Sequence, residues 1–179
     1  HLSNHPKALE YMLKALAIYE ELGDRANIAV VTSNIGTLHT YLSDYVKALE
    51  YYSKSLMTHE ELGDKVSVLR VTGNIGNVYA NKNFANFDAS KAEKHFLKAI
   101  AISEELQVKL EQYTFHKALA DLYEKQERWK DFAFHYKKYH ELKENVQSEE
   151  AAKQARLMEH RRKIEEAERD RQVKLARFQ

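Results

Sequence analysis

The sequence is poor in the residues that disulfides, thiolate metal sites and tight β-hairpins need. Among its 179 residues there are no cysteines, 1 proline and 5 glycines. The lack of cysteine excludes disulfides, thiolate metal ligands and a cysteine nucleophile. It is also typical of a reducing compartment, so we expect a cytoplasmic protein. With so little glycine and proline, the chain is expected to be almost wholly helical.

The charge and hydropathy of the chain argue against two kinds of partner. Lys and Arg number 28 and Asp and Glu number 27, which gives a net charge of +1. The chain as a whole therefore has no electrostatic reason to bind nucleic acid or an anionic membrane. No apolar run approaches the roughly 18–20 residues that a membrane-spanning helix needs. We expect neither a nucleic-acid partner nor membrane insertion.

Short segments of the sequence recur at a fixed distance. Residues 21–24, Glu-Leu-Gly-Asp, return at 61–64, and residues 34–36, Asn-Ile-Gly, return at 74–76. A period of 20–50 residues is the mark of a stacked array, in which each unit buries its apolar face against its neighbours. We therefore divide the chain by this period.

Each full unit contains two apolar stripes at helical spacing, separated by a short polar break. Gly23 and Gly63 stand where a helix ends in a left-handed residue, and Asp24 and Asp64 can cap the helix that follows. The predicted segments are a partial repeat with its second helix only (1–24), a full repeat (25–64), a full repeat with a loop insertion (65–108), a third full repeat (109–146), and a charged helical linker that could form a coiled coil (147–179).

The insertion in the second full unit extends the turn between its two helices over residues 81–88. Insertions in repeat arrays map to surface loops. The insertion contains Phe84 and Phe87. These rings either fold back over the helix ends or form an aromatic contact for a partner.

Small and large residues alternate at matching places in the three full units. The first helix has a small residue followed three positions later by a ring, and the second has a small residue followed four positions later by an aromatic. These places hold Gly36, His39, Ala48 and Tyr52, then Gly76, Tyr79, Ala92 and Phe96, then Ala120, Tyr123, Phe132 and Tyr136, where Phe132 departs from the pattern. The pattern resembles the tetratricopeptide repeat, in its forty-residue form. The resemblance implies an all-α fold, a right-handed superhelix (α-solenoid) of antiparallel helix pairs, followed here by a long C-terminal helix.

The same resemblance implies that the first helices of the repeats line a concave face that binds a protein or peptide. Asn34 and Asn74 are the sharpest candidates, because an amide side chain can both donate to and accept from one peptide group. Alternatively, they hydrogen-bond a neighbouring helix and support stacking. The predicted groove residues are Asn34, Thr37, Tyr41, Arg70, Asn74, Asn77, Asn81, Lys117 and Asp121.

No pattern in the sequence indicates catalysis. There is no His-Glu-x-x-His motif and no glycine-rich phosphate loop, and the 9 histidines lack a metal-ligand spacing. We expect no catalytic residues, no metal and no cofactor in this chain.

Two functions remain open. Bacterial signalling proteins that the chain resembles place such repeats ahead of a charged linker that leads into a class III adenylate or guanylate cyclase or a histidine kinase. By that resemblance we expect a regulatory module that could pair with a second copy through its C-terminal helix. We also expect the natural protein to continue on both sides, because the first repeat lacks its first helix and the last helix has no cap. The alternative is a stand-alone adaptor or scaffold protein.

Overall fold

The computed structural model describes residues 5–176, and their side chains as far as residue 169. All regular structure in this part of the chain is α-helical. The first four and the last three residues of the sequence, which belong to the predicted partial repeat and linker, lie outside the described residues. The helices are α1 (His5–Leu22), α2 (Arg25–Tyr41), α3 (Tyr45–Leu62), α4 (Lys65–Tyr79), α5 (Ala89–Glu105), α6 (Lys109–Lys125) and α7 (Trp129–Ala176).

The helices are stacked in the order of the chain. Each helix packs against the next one, from α1 on α2 to α6 on α7, and α2 also contacts α4. Contacts of this kind join only near neighbours in the sequence, which is the property of a repeat array. The predicted all-α solenoid is therefore confirmed. No helix in residues 5–176 combines the length and apolar character that crossing a bilayer requires.

The turns between the helices follow from the capping residues. Gly23 and Gly63 have φ angles of 67° and 69°, in the left-handed region that glycine adopts without strain. The side chain of Asp24 accepts a hydrogen bond from the backbone N–H of Asn27, and that of Asp64 accepts one from Ser67. Both bonds satisfy N–H groups that a helix start leaves without partners, which confirms the predicted helix ends and starts.

The long helix α7 begins as the second helix of the third repeat and does not stop where its counterparts do. The residue that corresponds to Gly63 is Gln107 in the second repeat, just after α5, and Gln147 in the third repeat. Gln107 adopts a left-handed φ of 57° and the chain turns there, whereas Gln147 lies inside α7. The boundary predicted between 146 and 147 therefore lies within a continuous helix.

The small residues of the repeat pattern bring the two helices of each pair together. A Cβ atom on Gly36 would lie 2.9 Å from the Tyr52 ring, and one on Gly76 would lie 2.7 Å from the Phe96 ring. Real Cβ atoms do not approach so closely, so a larger residue would push the helices apart. Tyr52 is 2% exposed and Phe96 is 1% exposed, so these glycine–aromatic contacts are the centre of the core.

The two phenylalanines of the insertion before α5 have different environments. Phe84 is 5% exposed and its ring lies 5.5 Å from the ring of Tyr45 and 6.3 Å from that of Tyr79. Phe87 is 42% exposed. Of the two predicted alternatives, Phe84 folds back over the helix ends, while Phe87 faces outward.

Candidate functional site

The first helices of the second and third repeats, α4 and α6, border a groove. The ring of Phe115 on α6 lies over the backbone of α4 at Gly73, where any added Cβ atom would collide with it. Glycine at this position therefore lets the ring sit against the helix backbone. The close contact leaves a depression beside the ring.

This depression has a volume of about 280 Å³ and is mostly apolar. Its apolar lining comes from α4, from α6 and from the turn between α5 and α6. Its polar groups come from α4 and α6. The apolar residues are Val66, Leu69, Leu106, Val108 and Phe115, with Gly73 beneath the ring, and the polar residues are Arg70, Asn74, Asn77, Glu111 and Thr114.

A second depression, of about 160 Å³, adjoins the first and shares Asn77 with it. Asp121 and Lys125 of α6 line it together with Ala118. The two depressions form a strip that follows α4 and α6 from their first turns towards their last, and we call this strip the α4–α6 groove.

Four of the nine predicted groove residues line the α4–α6 groove. These are Arg70, Asn74, Asn77 and Asp121. The predicted residue Lys117 lies one helical turn from Asp121, and its Nζ is 2.7 Å from Oδ2 of that carboxylate. The hydrogen bond to Asp121 raises the pKa of Lys117. The charges of Lys117 and Asp121 therefore offset each other, while Lys125 adds a positive charge at this end of the groove.

Two predicted residues use their polar groups inside the fold. The hydroxyl of Thr37 donates to the carbonyl of Ser33 at 3.2 Å and accepts from the Tyr52 hydroxyl at 3.0 Å. The Asn81 amide nitrogen donates to the Tyr45 hydroxyl at 3.1 Å, and its oxygen accepts from the backbone N–H of Asn83. A ligand would have to compete with these bonds.

The remaining two predicted residues lie on α2. Asn34 is half-buried, and Tyr41 is 73% exposed with its ring 6.5 Å from the ring of His5. Among the described contacts, no hydrogen bond joins the side chain of Asn34 or Asn74 to another protein group. The alternative role of these two residues in stacking would require such a bond, and their contact with a ligand stays a prediction.

Sequence reasoning missed the apolar floor of the groove. It selected polar positions on the first helices, whereas Leu69, Leu106 and Phe115 supply much of the surface. A partial signal was present, because Val66, Leu69 and Gly73 have the i, i+3, i+7 spacing of one helix face. Leu106 had no such signal, since it follows α5 and reaches the groove only through packing.

A buried histidine pair lies between α6 and α7. The Nδ1 atoms of His116 and His135 are 2.8 Å apart, so one ring donates and the other accepts. Burial, followed by the charges of His135 and Lys138, lowers the pKa of His116 to about 4. Within the part of the chain searched, no three His, Asp, Glu or Cys side chains are placed to hold a metal ion together.

Comparison with known proteins agrees with this geometry. Residues 1–61 match a family model described as tetratricopeptide repeat. This match and the stacked helix pairs support a tetratricopeptide repeat array, a fold that is typical of protein-interaction modules.

Among solved structures, the chain is similar to the crystal structure of BtubC (BKLC) from P. vanneervenii, with a TM-score of 0.72 and 20% sequence identity. The similarity covers 81% of this chain and 59% of that one, so the chain spans less than two thirds of its structural relative. At this identity the similarity concerns the fold alone. No curated protein sequence matches the chain significantly.

Proposed function

We propose that the chain is a non-catalytic regulatory module of a larger cytoplasmic signalling protein and that it binds a peptide segment of a partner in the α4–α6 groove. The observation that carries this proposal is the combination of an apolar depression with the amides of Asn74 and Asn77 beside it. Binding sites typically combine a mostly apolar lining with a few polar groups that fix orientation.

The dimensions of the groove favour a peptide over a compact small molecule. Its larger depression, about 280 Å³, lies at the lower limit of drug-sized pockets, which are roughly 300–1,000 Å³. An apolar side chain of a peptide can enter it beside Phe115. The peptide backbone would then run along α4, where the Asn74 and Asn77 amides can both donate to its carbonyls and accept from its N–H groups.

Replacing Asn74 and Asn77 together by alanine is expected to weaken binding of such a peptide about tenfold or more. Each hydrogen bond contributes about 0.5–1.5 kcal/mol, and 1.4 kcal/mol is a factor of ten in affinity. The peptide is first selected from a random library on the intact chain, and its affinity is then measured by fluorescence anisotropy.

The matched control is Asn86→Ala, which removes an exposed amide in the insertion, away from the groove. It should leave the affinity unchanged. Adding Asn34→Ala tests whether the peptide extends to α2. Equal affinities for the chain and the Asn74/Asn77 double variant would show that the selected peptide binds elsewhere.

We also propose that α7 connects the array to a signalling domain and pairs with α7 of a second copy. An ion pair between Lys109 and Glu149 joins α6 to α7, and every side chain from residue 150 to residue 169 is exposed. A helix that projects in this way has no partner within the described chain, and an isolated helix is marginal in water. The resemblance to bacterial signalling proteins favours a class III adenylate or guanylate cyclase over a histidine kinase, because two paired α7 helices would bring two cyclase domains together.

Sedimentation equilibrium tests this pairing. Leu157 and Ile164, seven residues apart, are 53% and 46% exposed, and the spacing places them on one helix face. The variant with both replaced by aspartate should be a monomer at concentrations where the unaltered chain is a dimer. Met158→Asp changes an equally apolar exposed residue away from that face and should preserve the dimer. An unaltered chain that stays monomeric throughout would instead favour the stand-alone adaptor.

A further inference from the structure

Within the described residues, no helix covers one face of α7 in the way that the matching faces of α3 and α5 are covered. In the first two full repeats the aromatic residue of the second helix is sealed by the helix that follows, so that Tyr52 is 2% and Phe96 is 1% exposed. The matching residue of the third repeat, Tyr136, is 47% exposed. Trp129 is 59% exposed, whereas the matching Tyr45 is 8% exposed.

The helices that cover α3 and α5 use the same pattern of side chains. On α4 the covering residues are Val71, Ile75 and Val78, which pack with Tyr45 and Tyr52. On α6 they are Phe115, Leu119 and Leu122, which pack with Ala92 and Phe96. Both sets have the spacing i, i+4, i+7 of an amphipathic helix.

This side of α7 carries a row of rings that we call the aromatic face. Trp129, Tyr136 and His140 are exposed, whereas Phe132 and Tyr139 between them are half-buried. The ring centroids of Trp129 and Phe132 are 6.2 Å apart, those of Phe132 and Tyr136 are 5.2 Å apart, and those of Tyr136 and His140 are 4.5 Å apart. Exposed rings such as Trp129 and Tyr136 within a row of neighbouring rings mark interaction sites, since aromatic residues contribute much of the energy of protein interfaces.

We propose that the aromatic face binds an amphipathic helix of another protein, with large apolar side chains at i, i+4 and i+7. The interface would continue the series that the chain itself contains twice, α4 on α3 and α6 on α5. The incoming helix would place its apolar side chains against Trp129 and Tyr136. This surface is separate from the α4–α6 groove, so the inference does not depend on the function proposed there.

The C-terminal part of α7 from a second copy does not have the required pattern. Its exposed apolar residues Leu157 and Ile164 stand at i and i+7, but the position at i+4 is Arg161. Placing the guanidinium of that residue against Tyr136 would interrupt the apolar contact. A helix with a large apolar residue at all three positions fits the face better.

The chain provides both the probe and the reporter for a test. Trp129 is the only tryptophan, so its fluorescence reports directly on whether the aromatic face is covered. The probes are two synthetic peptides with the sequences of α4 (residues 65–79) and α6 (residues 109–125), titrated separately into the full chain. At least one should give a saturable blue shift of the emission, with a gain of helical circular dichroism.

Three variants make the result specific. Tyr136→Asp should weaken the binding of the peptide at least about tenfold, and Ile75→Asp in the α4 peptide should abolish its effect. Phe134→Asp is the matched control: Phe134 is 56% exposed, but it lies beside another depression together with Leu97 of α5. This control variant should bind as the unaltered chain does.

Three outcomes would overturn the proposal. The first is the absence of any emission change with either peptide up to about 1 mM, which corresponds to roughly 4 kcal/mol of binding free energy. The second is an equal loss of binding in the Phe134 and Tyr136 variants. The third is an emission maximum that shifts with the concentration of the chain alone, which would identify a second copy as the occupant.

Discussion

Replacing Phe96 by alanine is expected to lower the free energy of unfolding by about 3–5 kcal/mol, the usual cost of deleting a buried aromatic ring. Phe96 is 1% exposed, lies against the backbone of α4 at Gly76, and has its ring centroid 6.2 Å from that of Phe115. The substitution removes contacts among α4, α5 and α6 and leaves a cavity at their centre. Urea denaturation followed by far-UV circular dichroism measures the change.

Tyr136→Ala is the matched control, since Tyr136 occupies the same place in the third repeat. Because that side chain is 47% exposed, its loss should cost less than about 1 kcal/mol. The comparison separates the effect of burial from that of removing an aromatic ring at this position. Similar costs for the two variants would mean that the end of the array is as well packed as its centre, contrary to the structure.

Lowering the pH from 7 to about 4.5 should destabilise the protein by up to about 3 kcal/mol through His116. The folded-state pKa of His116 is about 4, while the ordinary value is 6.5, and each unit of pKa difference corresponds to about 1.4 kcal/mol. Between these two values the unfolded chain binds more protons than the folded one. The contribution of His116 to the free energy of unfolding is therefore complete above pH 6.5 and is lost as the pH falls towards 4.

The surroundings of the histidine pair explain the direction of this effect. Burial lowers the pKa of both His116 and His135, and the nearby Lys138 lowers that of His116 further. The carboxylates of Asp131 and Glu93 oppose the effect at His135. The helix caps Asp24 and Asp64 have pKa values below the ordinary 3.8. Their contribution to the free energy of unfolding is therefore lost only at lower pH.

Denaturation at several pH values, with one histidine removed at a time, tests this assignment. Between pH 6.5 and 4.5, the free energy of unfolding of the His116→Gln variant should fall by about 2 kcal/mol less than that of the unaltered chain. His160→Gln, which changes an exposed histidine of α7, should show the full dependence. An identical pH dependence in the chain and in the His116 variant would assign the effect to other groups, such as the buried His59 and the half-buried His95.

The sequence by itself determined the helices and how they pair. The forty-residue period can be read directly from the sequence. So can the glycine–aspartate pairs at 23–24 and 63–64, and the match of Gly36 to Tyr52 and of Gly76 to Phe96. A helix cap acts over about three residues, and a small residue admits an aromatic ring of the adjacent helix. Such signals can be read in one sequence, because the physical effects that produce them are local or repeat with the array.

Only the tertiary structure decided which side chains are available at the groove. Thr37 and Asn81 have the same polar character as Asn74 and Asn77, but Tyr52 and Tyr45 occupy their hydrogen-bonding groups. The apolar floor of the groove likewise depends on packing between elements distant in the sequence. No local pattern records these contacts, since they depend on where a neighbouring helix places its rings.

At the end of the array, too, tertiary packing and not the local sequence decides the backbone conformation. Gln107 and Gln147 hold matching positions, but Gln107 turns the chain with a φ of 57° and Gln147 continues a helix. The residue type is identical, so it does not explain the difference. After Gln107 the chain returns as α6, whose Phe115 and Leu119 bury against α5, and this packing offsets the strain of a left-handed glutamine. After Gln147 no described helix returns to α7, so the chain keeps the unstrained helical conformation.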